Sequence, residues 1–482
     1  MPSTDIRYFD LNIGEILEGW QPRHAVRELI ANALDEETLT GTAEVEIAKT
    51  GGTWRIRDHG RGLRHEHLTQ NESDEKLANP SKVIGKFGVG LKDALATLHR
   101  HGIVVEIRSP HCGITITERG KHGFDELATL HAAVAPPSAP RQVGTEVILD
   151  RLDDSEMETA KQLFLRFSGE QTVGETPYGQ ILARHEDQPA RIYVNGLRVA
   201  EEEDFVFSYN ITSLTATMRK ALNRERTNVG RAAFSERVKS MLLACSAPAV
   251  AATLAEEIAK LDEGQAHDEV KWTDVAVHAC RILSQTSKVV FVSSDELANA
   301  TDAVDHARSE GYQMVTLPRN IREKLRGERD ASGAPVRGLD VFVKEWSRSF
   351  RFEFVEEAEL RASERAIFAR QDEIAALVGG WPRGVVDVLV SNTMRPGEDG
   401  RVDALGLWDP ANRRIIIRRD QLRSIESFAG TLIHEIAHAE SGAGDVTRMF
   451  EDALTGALGT VATLALRKAA RPARPAKRRK KS

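Results

Sequence analysis

The chain of 482 residues is poor in cysteine and has no long apolar run, and each shortage narrows the reading. Its three cysteines, Cys112, Cys245 and Cys280, are scattered with no metal-type spacing. They argue against a disulfide framework and for a reducing compartment. The longest apolar stretch, Met241 to Ala255, is alanine-rich, is interrupted by Pro248 and is too short to span a bilayer. Met1 to Asp10 carries acids and no apolar run, so no signal peptide and no membrane anchor are expected, and the expected location is cytoplasmic. Acid is missing from Arg467 to Ser482, where nine Lys/Arg stand among alanines and prolines. Such a tail cannot bury a core; it suits nucleic acid or an acidic partner, or solubility alone.

What is present is an ordinary globular balance, 41% hydrophobic and 28% charged. The length calls for more than one core. Around Arg23 to Glu37, apolar Val26, Leu29, Ile30, Ala33 and Leu34 recur at helical spacing. Glu28, Asn32 and Asp35 line another face of the same helix, on neighbouring turns. Two strand candidates follow, Ala43 to Lys49 and Thr53 to Asp58, joined by Gly51-Gly52 as a hairpin. The second runs into Asp58-His59-Gly60-Arg61-Gly62, where an acid precedes glycines that leave room for a close ligand. A polar stretch then reaches Gly85-Lys86-Phe87-Gly88-Val89-Gly90-Leu91-Lys92, which feeds directly into a helical run. Glycines before a helix start offer backbone N–H groups to phosphate. The spacing is neither that of a P-loop nor that of a dinucleotide fold. A later strand, Val143 to Leu149, contains Gly144-Thr145.

In this order, ExxxNxxD, DxGxG, GxxGxG and GT resemble the Bergerat ATP-binding fold of the gyrase, heat-shock chaperone, histidine kinase and MutL superfamily. The resemblance implies an α/β sandwich that binds ATP and Mg²⁺. It makes Asn32 the Mg²⁺ ligand, with Asp35 beside it, and Asp58 the acceptor for the adenine amino group, helped by Thr145. Gly60, Gly62, Gly85, Gly88 and Gly90 would shape the pocket and its lid, with Lys86, Val89, Leu91 and Lys92 in the same loop. Glu28, four residues before Asn32, stands where the hydrolases of the superfamily orient and deprotonate water. A kinase would also need a phosphoacceptor histidine on a preceding helix, and no helix with room for one precedes the domain. A hydrolase or switch is therefore preferred.

Asp153 to Phe167 reads as a helix, Gln171 to Gln188 as a loop-rich connection, and Arg191 to Ala200 as a hairpin about Asn195-Gly196. A long helix is expected from Arg231 to about Leu261. Just before it, Arg224 and Arg226 resemble the basic element that the chaperone and MutL branches send back to the terminal phosphate. The alternative is an exposed basic loop. Beyond a polar linker, KVVFVS and YQMVTL suggest a small α/β unit with no readable chemistry.

Near the far end, Arg413 to Arg419 reads as a strand and Ser424 starts a helix that carries His434-Glu435-Ile436-Ala437-His438. HExxH on a helix puts two imidazoles one turn apart as Zn²⁺ ligands, with the glutamate placed to act on water. The segment resembles the gluzincin metallopeptidases, over residues 405 to 465. A third ligand is expected from the next helix, Val446 to Ala465, where Glu451 follows His438 by thirteen residues. Glu440, Asp445 and Asp452 are its rivals, with Asp445 expected to cap that helix.

The expected fold is thus α+β and multidomain. It comprises an ATP-binding domain at 1–152, a transducer-like βα domain at 153–262 and an α/β module at 269–355. A mostly helical zincin-like domain at 356–466 and a basic tail at 467–482 complete it. The expected function is an ATPase whose nucleotide-driven change and ATP-dependent homodimerisation control a zinc peptidase acting on a protein substrate or partner. The alternatives are a chaperone-like or DNA-transaction ATPase whose HExxH helix is not catalytic, and a scaffold that binds ATP with little turnover.

Overall fold

The structure, a computed structural model, describes residues 6–11, 19–69, 74–79, 82–85, 90–121, 124–185, 187–222, 229–261, 264–397 and 404–469. Two compact units divide the chain, Met1–Leu283 and Ser284–Ser482.

The first unit opens with a seven-stranded antiparallel sheet. Its strands are β1 (Arg7–Asp10), β2 (Glu46–Thr50), β3 (Thr53–Arg57), β4 (Val104–Arg108), β5 (Gly113–Lys121), β6 (Phe124–Ala135) and β7 (Glu146–Asp150). They lie in the order β1-β6-β5-β4-β7-β3-β2. The helix α1 (Pro22–Thr40) packs its apolar stripe, Val26, Leu29, Ile30, Ala33 and Leu34, into the core with Ile56, Ile107 and Leu149. Pro22 opens α1, where its missing N–H costs nothing, and Gly41 closes it in the left-handed region at φ 65°, donating to Glu37 O. Two further helices matter to the site, α2 (Asp74–Ala78) and α3 (Gly90–Arg100).

A second sheet follows in the same unit: β8 (Thr172–Thr176), β9 (Gly179–Ala183), β10 (Ala190–Val194), β11 (Leu197–Glu202) and β12 (Phe207–Ile211). Its order is β11-β10-β12-β9-β8, with β10 and β12 parallel. The hairpin β8–β9 occupies a stretch expected to be loop-rich. Its Gly179, at φ 140°, sits so close to Asn210 O that a Cβ would lie 1.9 Å from it. The long helix expected from Arg231 is two helices, Arg231–Ala244 and Pro248–Ala259, bent by 115° at the break. Pro248 starts the second because it cannot continue the first. Among the described residues no single helix is long and apolar enough to cross a membrane.

Glu269 is wholly buried beneath this second sheet. Its Oε1 accepts from Val206 N at 2.9 Å, Phe207 N at 3.3 Å and Tyr209 Oη at 3.0 Å, while Oε2 has no partner. Burial pushes its pKa up to about 7, against those hydrogen bonds. A raised carboxyl pKa means that the native state holds the proton more tightly than the unfolded chain. The stability is therefore complete below the ordinary glutamate value and is lost as pH rises towards 7, by on the order of 3 kcal/mol. Glu269→Gln keeps an acceptor oxygen and cannot ionise. Its unfolding midpoint is expected to match wild type at pH 4 and exceed it at pH 8; equal midpoints at pH 8 would contradict the assignment.

In the second unit, β13 (Val289–Val292) and β14 (Gln313–Thr316) pair in parallel, covered by Ala303, Val304, Ala307, Phe342 and Val343. The other sheet contains β15 (Phe354–Val355), β16 (Asp387–Ser391), β17 (Gly406–Asp409) and β18 (Arg414–Arg418), ordered β15-β16-β18-β17. Val388, Val390, Ile415 and Ile417 of this sheet meet Phe428, Leu432 and Ile436 of the helix Ile425–Ser441. That packing fixes which side of the helix is left for polar groups, and β17 is the sheet edge beside it.

Candidate functional sites

Glu28, Asn32 and Asp35 share a helix face, yet they are not a solvated stripe. Glu28 is 6% exposed, Asp35 is 1% exposed and Asn32 is half-buried. Glu28 Oε1 accepts from Arg27 Nε at 3.2 Å and Nη2 at 2.9 Å, and Arg27 is itself buried with its guanidinium 5.4 Å from the Trp20 ring. The other oxygen lies against the start of α3, where a Cβ on Gly90 would be 2.5 Å from Oε2. This glycine therefore lets the helix start approach the carboxylate.

Asp35 holds the glycine loop by its root. Oδ1 accepts from Ile84 N at 2.5 Å, and Oδ2 accepts from Gly85 N at 2.8 Å and Lys76 Nζ at 2.7 Å. The same ammonium donates to Asn32 Oδ1 at 3.1 Å. Asn32 and Asp35 thus already cradle a cation with oxygen donors, the chemistry that a hard ion such as Mg²⁺ requires. From the second sheet, Asn195 Nδ2 donates to Val83 O at 2.9 Å, next to the two amides that grip Asp35.

Asp58 leaves the end of β3 buried, its Oδ1 accepting from Gly60 N at 2.9 Å and Thr145 N at 3.2 Å. Burial raises its pKa, although both hydrogen bonds oppose the shift. Thr145 Oγ1 accepts from Leu63 N at 3.0 Å, closing the motif on itself. Gly144, at φ 78°, would place a Cβ 1.9 Å from Asp58 O, so no other residue fits between the two strand ends. Gly62, at φ 84°, is similarly pressed against Pro110. Arg61 grips both oxygens of Glu36 at 2.9 Å and reaches Glu75 at 3.0 Å. Burial would raise Glu36, but the Arg61 hydrogen bonds outweigh it and hold the pKa low.

The structure therefore gathers Glu28, Asn32, Asp35, Gly85 and Gly90 around one wall and Asp58, Gly60, Gly62 and Thr145 around another. Leu91 and Lys92 are half-buried at the start of α3. Lys86, Gly88, Val89, Arg224 and Arg226 lie outside the described residues.

The second constellation belongs to the other unit. His434 and His438 project from one face of the helix Ile425–Ser441, Nε2 to Nε2 at 3.1 Å. The acid beside them is Asp445, whose Oδ1 is 3.2 Å from each Nε2, and not Glu451. The reason is local. Thr447, whose Oγ1 accepts from Phe450 N, caps the following helix Arg448–Ala469, so Asp445 is released from capping and stays in the turn. Glu451 is exposed, and its neighbour Phe450 instead stacks on His438 at 4.2 Å.

Three ligand-type atoms separated by 3.1, 3.2 and 3.2 Å form a near-equilateral triangle. A tetrahedral ion with bonds of about 2.0 Å would need edges of roughly 3.3 Å. His438 Nδ1 sits 2.8 Å from Ala443 O, a bond that puts the proton on Nδ1 and leaves Nε2 bare toward the cluster. Burial, then the neighbouring His438, lowers the pKa of His434, and Asp445 opposes them. A low value favours the neutral imidazole that binds a metal. Glu435 is buried against Gly406, and burial pushes its pKa up to about 8, against a hydrogen bond from the Trp408 backbone. The cluster opens on a cavity of about 730 Å³ lined by Leu405, Leu407, Trp408 and Pro410 of the β17 side and by Gly430 and Thr431 of the helix. That is a small-ligand or peptide-side-chain volume.

Arg27, Lys76 and Asp445 carry much of this geometry without having been singled out as its carriers. Arg27 and Lys76 had only their charge as a signal. Asp445 looked like a helix cap because Thr447, two residues on, has the same capping chemistry.

Residues 20–153 match the family model described as Histidine kinase-, DNA gyrase B-, and HSP90-like ATPase. Residues 155–248 match that of the Mycoplasma pneumoniae MPN635 N-terminal domain. Two proteins of Mycoplasma pneumoniae (strain ATCC 29342 / M129 / Subtype 1), each described as an uncharacterized protein, are similar to the chain. One is 36% identical over 242 residues, spanning 49% of this chain and 97% of its own length. The other is 24% identical over 356 residues, spanning 67% and 96%.

Proposed function

This chain belongs to the family of the 36%-identical Mycoplasma pneumoniae protein and carries an ATPase domain of the histidine kinase, gyrase B and HSP90 kind, and from that premise we propose that ATP binding and hydrolysis in its first unit control a zinc-dependent peptidase in its second. The observation that carries the peptidase half is the triangle of His434 Nε2, His438 Nε2 and Asp445 Oδ1, with Glu435 buried beside it.

In the first unit, Asp58 accepts the adenine amino group and Thr145 secures the strand end behind it. Asn32 supplies the oxygen for Mg²⁺, which when bound screens the phosphate charge. Glu28 orients and deprotonates the attacking water, held in line by Arg27. Gly90 allows the N–H groups at the start of α3 close to the phosphates. The Asn195 link to Val83 offers a route by which the second sheet follows the state of the loop. Arg224 or Arg226 is the basic residue proposed to reach the terminal phosphate, and nucleotide loading is proposed to pair two copies of the chain.

In the second unit, His434, His438 and Asp445 hold the metal. A zinc ion held there would supply Lewis acidity to a peptide carbonyl and to water. Glu435 takes a proton from the water and returns it to the leaving amine. β17, the last strand in its sheet among the described residues, is proposed to line up an extended peptide along its outer edge.

Metal analysis of the purified chain tests the second half directly. About one zinc per chain is expected; a chain without zinc that still hydrolyses ATP would leave the chaperone-like or DNA-transaction reading, which the basic segment 467–482 suits.

A further inference from the structure

Lys76 has no place in the mechanism above, yet its ammonium reaches two polar side chains of the nucleotide wall. Its ammonium lies 2.7 Å from Asp35 Oδ2 and 3.1 Å from Asn32 Oδ1, in a half-buried position with 21% of its side chain exposed. A Cβ on Gly85 would sit 2.6 Å from Asp35 Oδ2 and 2.8 Å from Lys76 Nζ, so the loop root, the acid and the ammonium form one tight junction. Asp35 does not need the lysine for its place, because Ile84 N and Gly85 N hold it independently.

We propose that Lys76 is a resident counter-cation of the nucleotide wall, and that it is exchanged for Mg²⁺ when the nucleotide loads. The inference rests on Asn32 being the Mg²⁺ ligand. An amide oxygen in direct contact with an ammonium at 3.1 Å has no room on the same side for a metal at about 2.1 Å, so the two cations compete. Before nucleotide loads, the lysine neutralises a carboxylate that is 1% exposed, whose unpaired charge would otherwise be costly. In the loaded site the metal and phosphates replace that balance, and the ammonium turns outward. The Mg²⁺ requirement of ATP binding is then set in part by the cost of displacing Lys76.

The experiment follows two readouts on the full chain. Acetylation of Lys76 by an amine-reactive ester, read by mass spectrometry against Lys49 as reference, is expected to rise when ATP and Mg²⁺ are added together. ATP binding is measured across a Mg²⁺ titration for wild type, Lys76→Met and Lys76→Arg. Lys76→Met is expected to bind ATP at roughly 10-fold lower Mg²⁺, the scale of one charge-assisted hydrogen bond, while Lys76→Arg stays near wild type. Protection of Lys76 with a raised Mg²⁺ requirement in Lys76→Met would overturn the proposal and make the lysine a phosphate ligand. Unchanged labelling and unchanged Mg²⁺ dependence would overturn it too. A wild type that binds ATP with no need of Mg²⁺ would instead remove the assignment of Asn32, and the inference with it.

Discussion

Glu28→Gln is expected to lower ATP turnover by roughly 10²–10⁴-fold while leaving ATP binding nearly unchanged, since a positioned base contributes on that scale. The choice of glutamine matters. Arg27 is 1% exposed and gives two hydrogen bonds to Glu28 Oε1. Alanine would strand that guanidinium in the core, and breaking a buried pair in this way costs about 3–5 kcal/mol. Loss of activity in Glu28→Ala would then be confounded with loss of fold. Glutamine keeps an acceptor oxygen for Arg27 and removes only the ability to take a proton. Binding of a fluorescent ATP analogue and phosphate release, measured on the same sample, separate the two effects. Turnover within a few-fold of wild type would show that Glu28 is not the base.

The second large effect is on the metal. His434→Ala, His438→Ala and Asp445→Asn are each expected to abolish stoichiometric zinc, weakening it by more than the roughly 10–100-fold that an outer partner is worth. Glu451→Gln is expected to keep zinc at wild-type level, because Glu451 is exposed and stands outside the cluster. The pairing is informative because the spacing of the sequence favours Glu451 and the geometry favours Asp445. Zinc lost in Glu451→Gln and kept in Asp445→Asn would reverse the assignment. Glu435→Gln should retain zinc and lose peptide cleavage by roughly 10²–10⁴-fold, as expected of a proton shuttle and not of a ligand.

The nucleotide wall was legible because its chemistry lies within single helical or strand-end motifs. Glu28, Asn32 and Asp35 are set by helical spacing on α1, and Asp58 by the strand that ends before it, so local geometry decides where they point. Thr145 comes from a distant strand, and its pairing with Asp58 was readable only through the resemblance. Beyond its charge, nothing in the sequence marked Lys76. Its partners are 44 and 41 residues away in sequence, and the short helix that carries it lies in a polar, non-periodic stretch. In the fold, the hairpin Thr172–Thr176 with Gly179–Ala183 was hidden by glycine and charge inside the strands. The break before Pro248 was visible as a proline, but the helical periodicity on both sides masked it. Asp445 was hidden because two capping residues two positions apart give equivalent signals; in the fold Thr447 takes the cap, and Phe450 packs on His438.

Coupling of the two units can be read from a single reaction. Cleavage of a casein-type substrate is followed with and without ATP and Mg²⁺, in wild type and in Glu28→Gln. The wild-type rate is expected to change on adding nucleotide, and Glu28→Gln is expected to keep the loaded-state rate because it binds ATP without hydrolysing it. Cleavage at the same rate with and without nucleotide in both proteins would contradict the coupling, even with zinc in place and ATP hydrolysed.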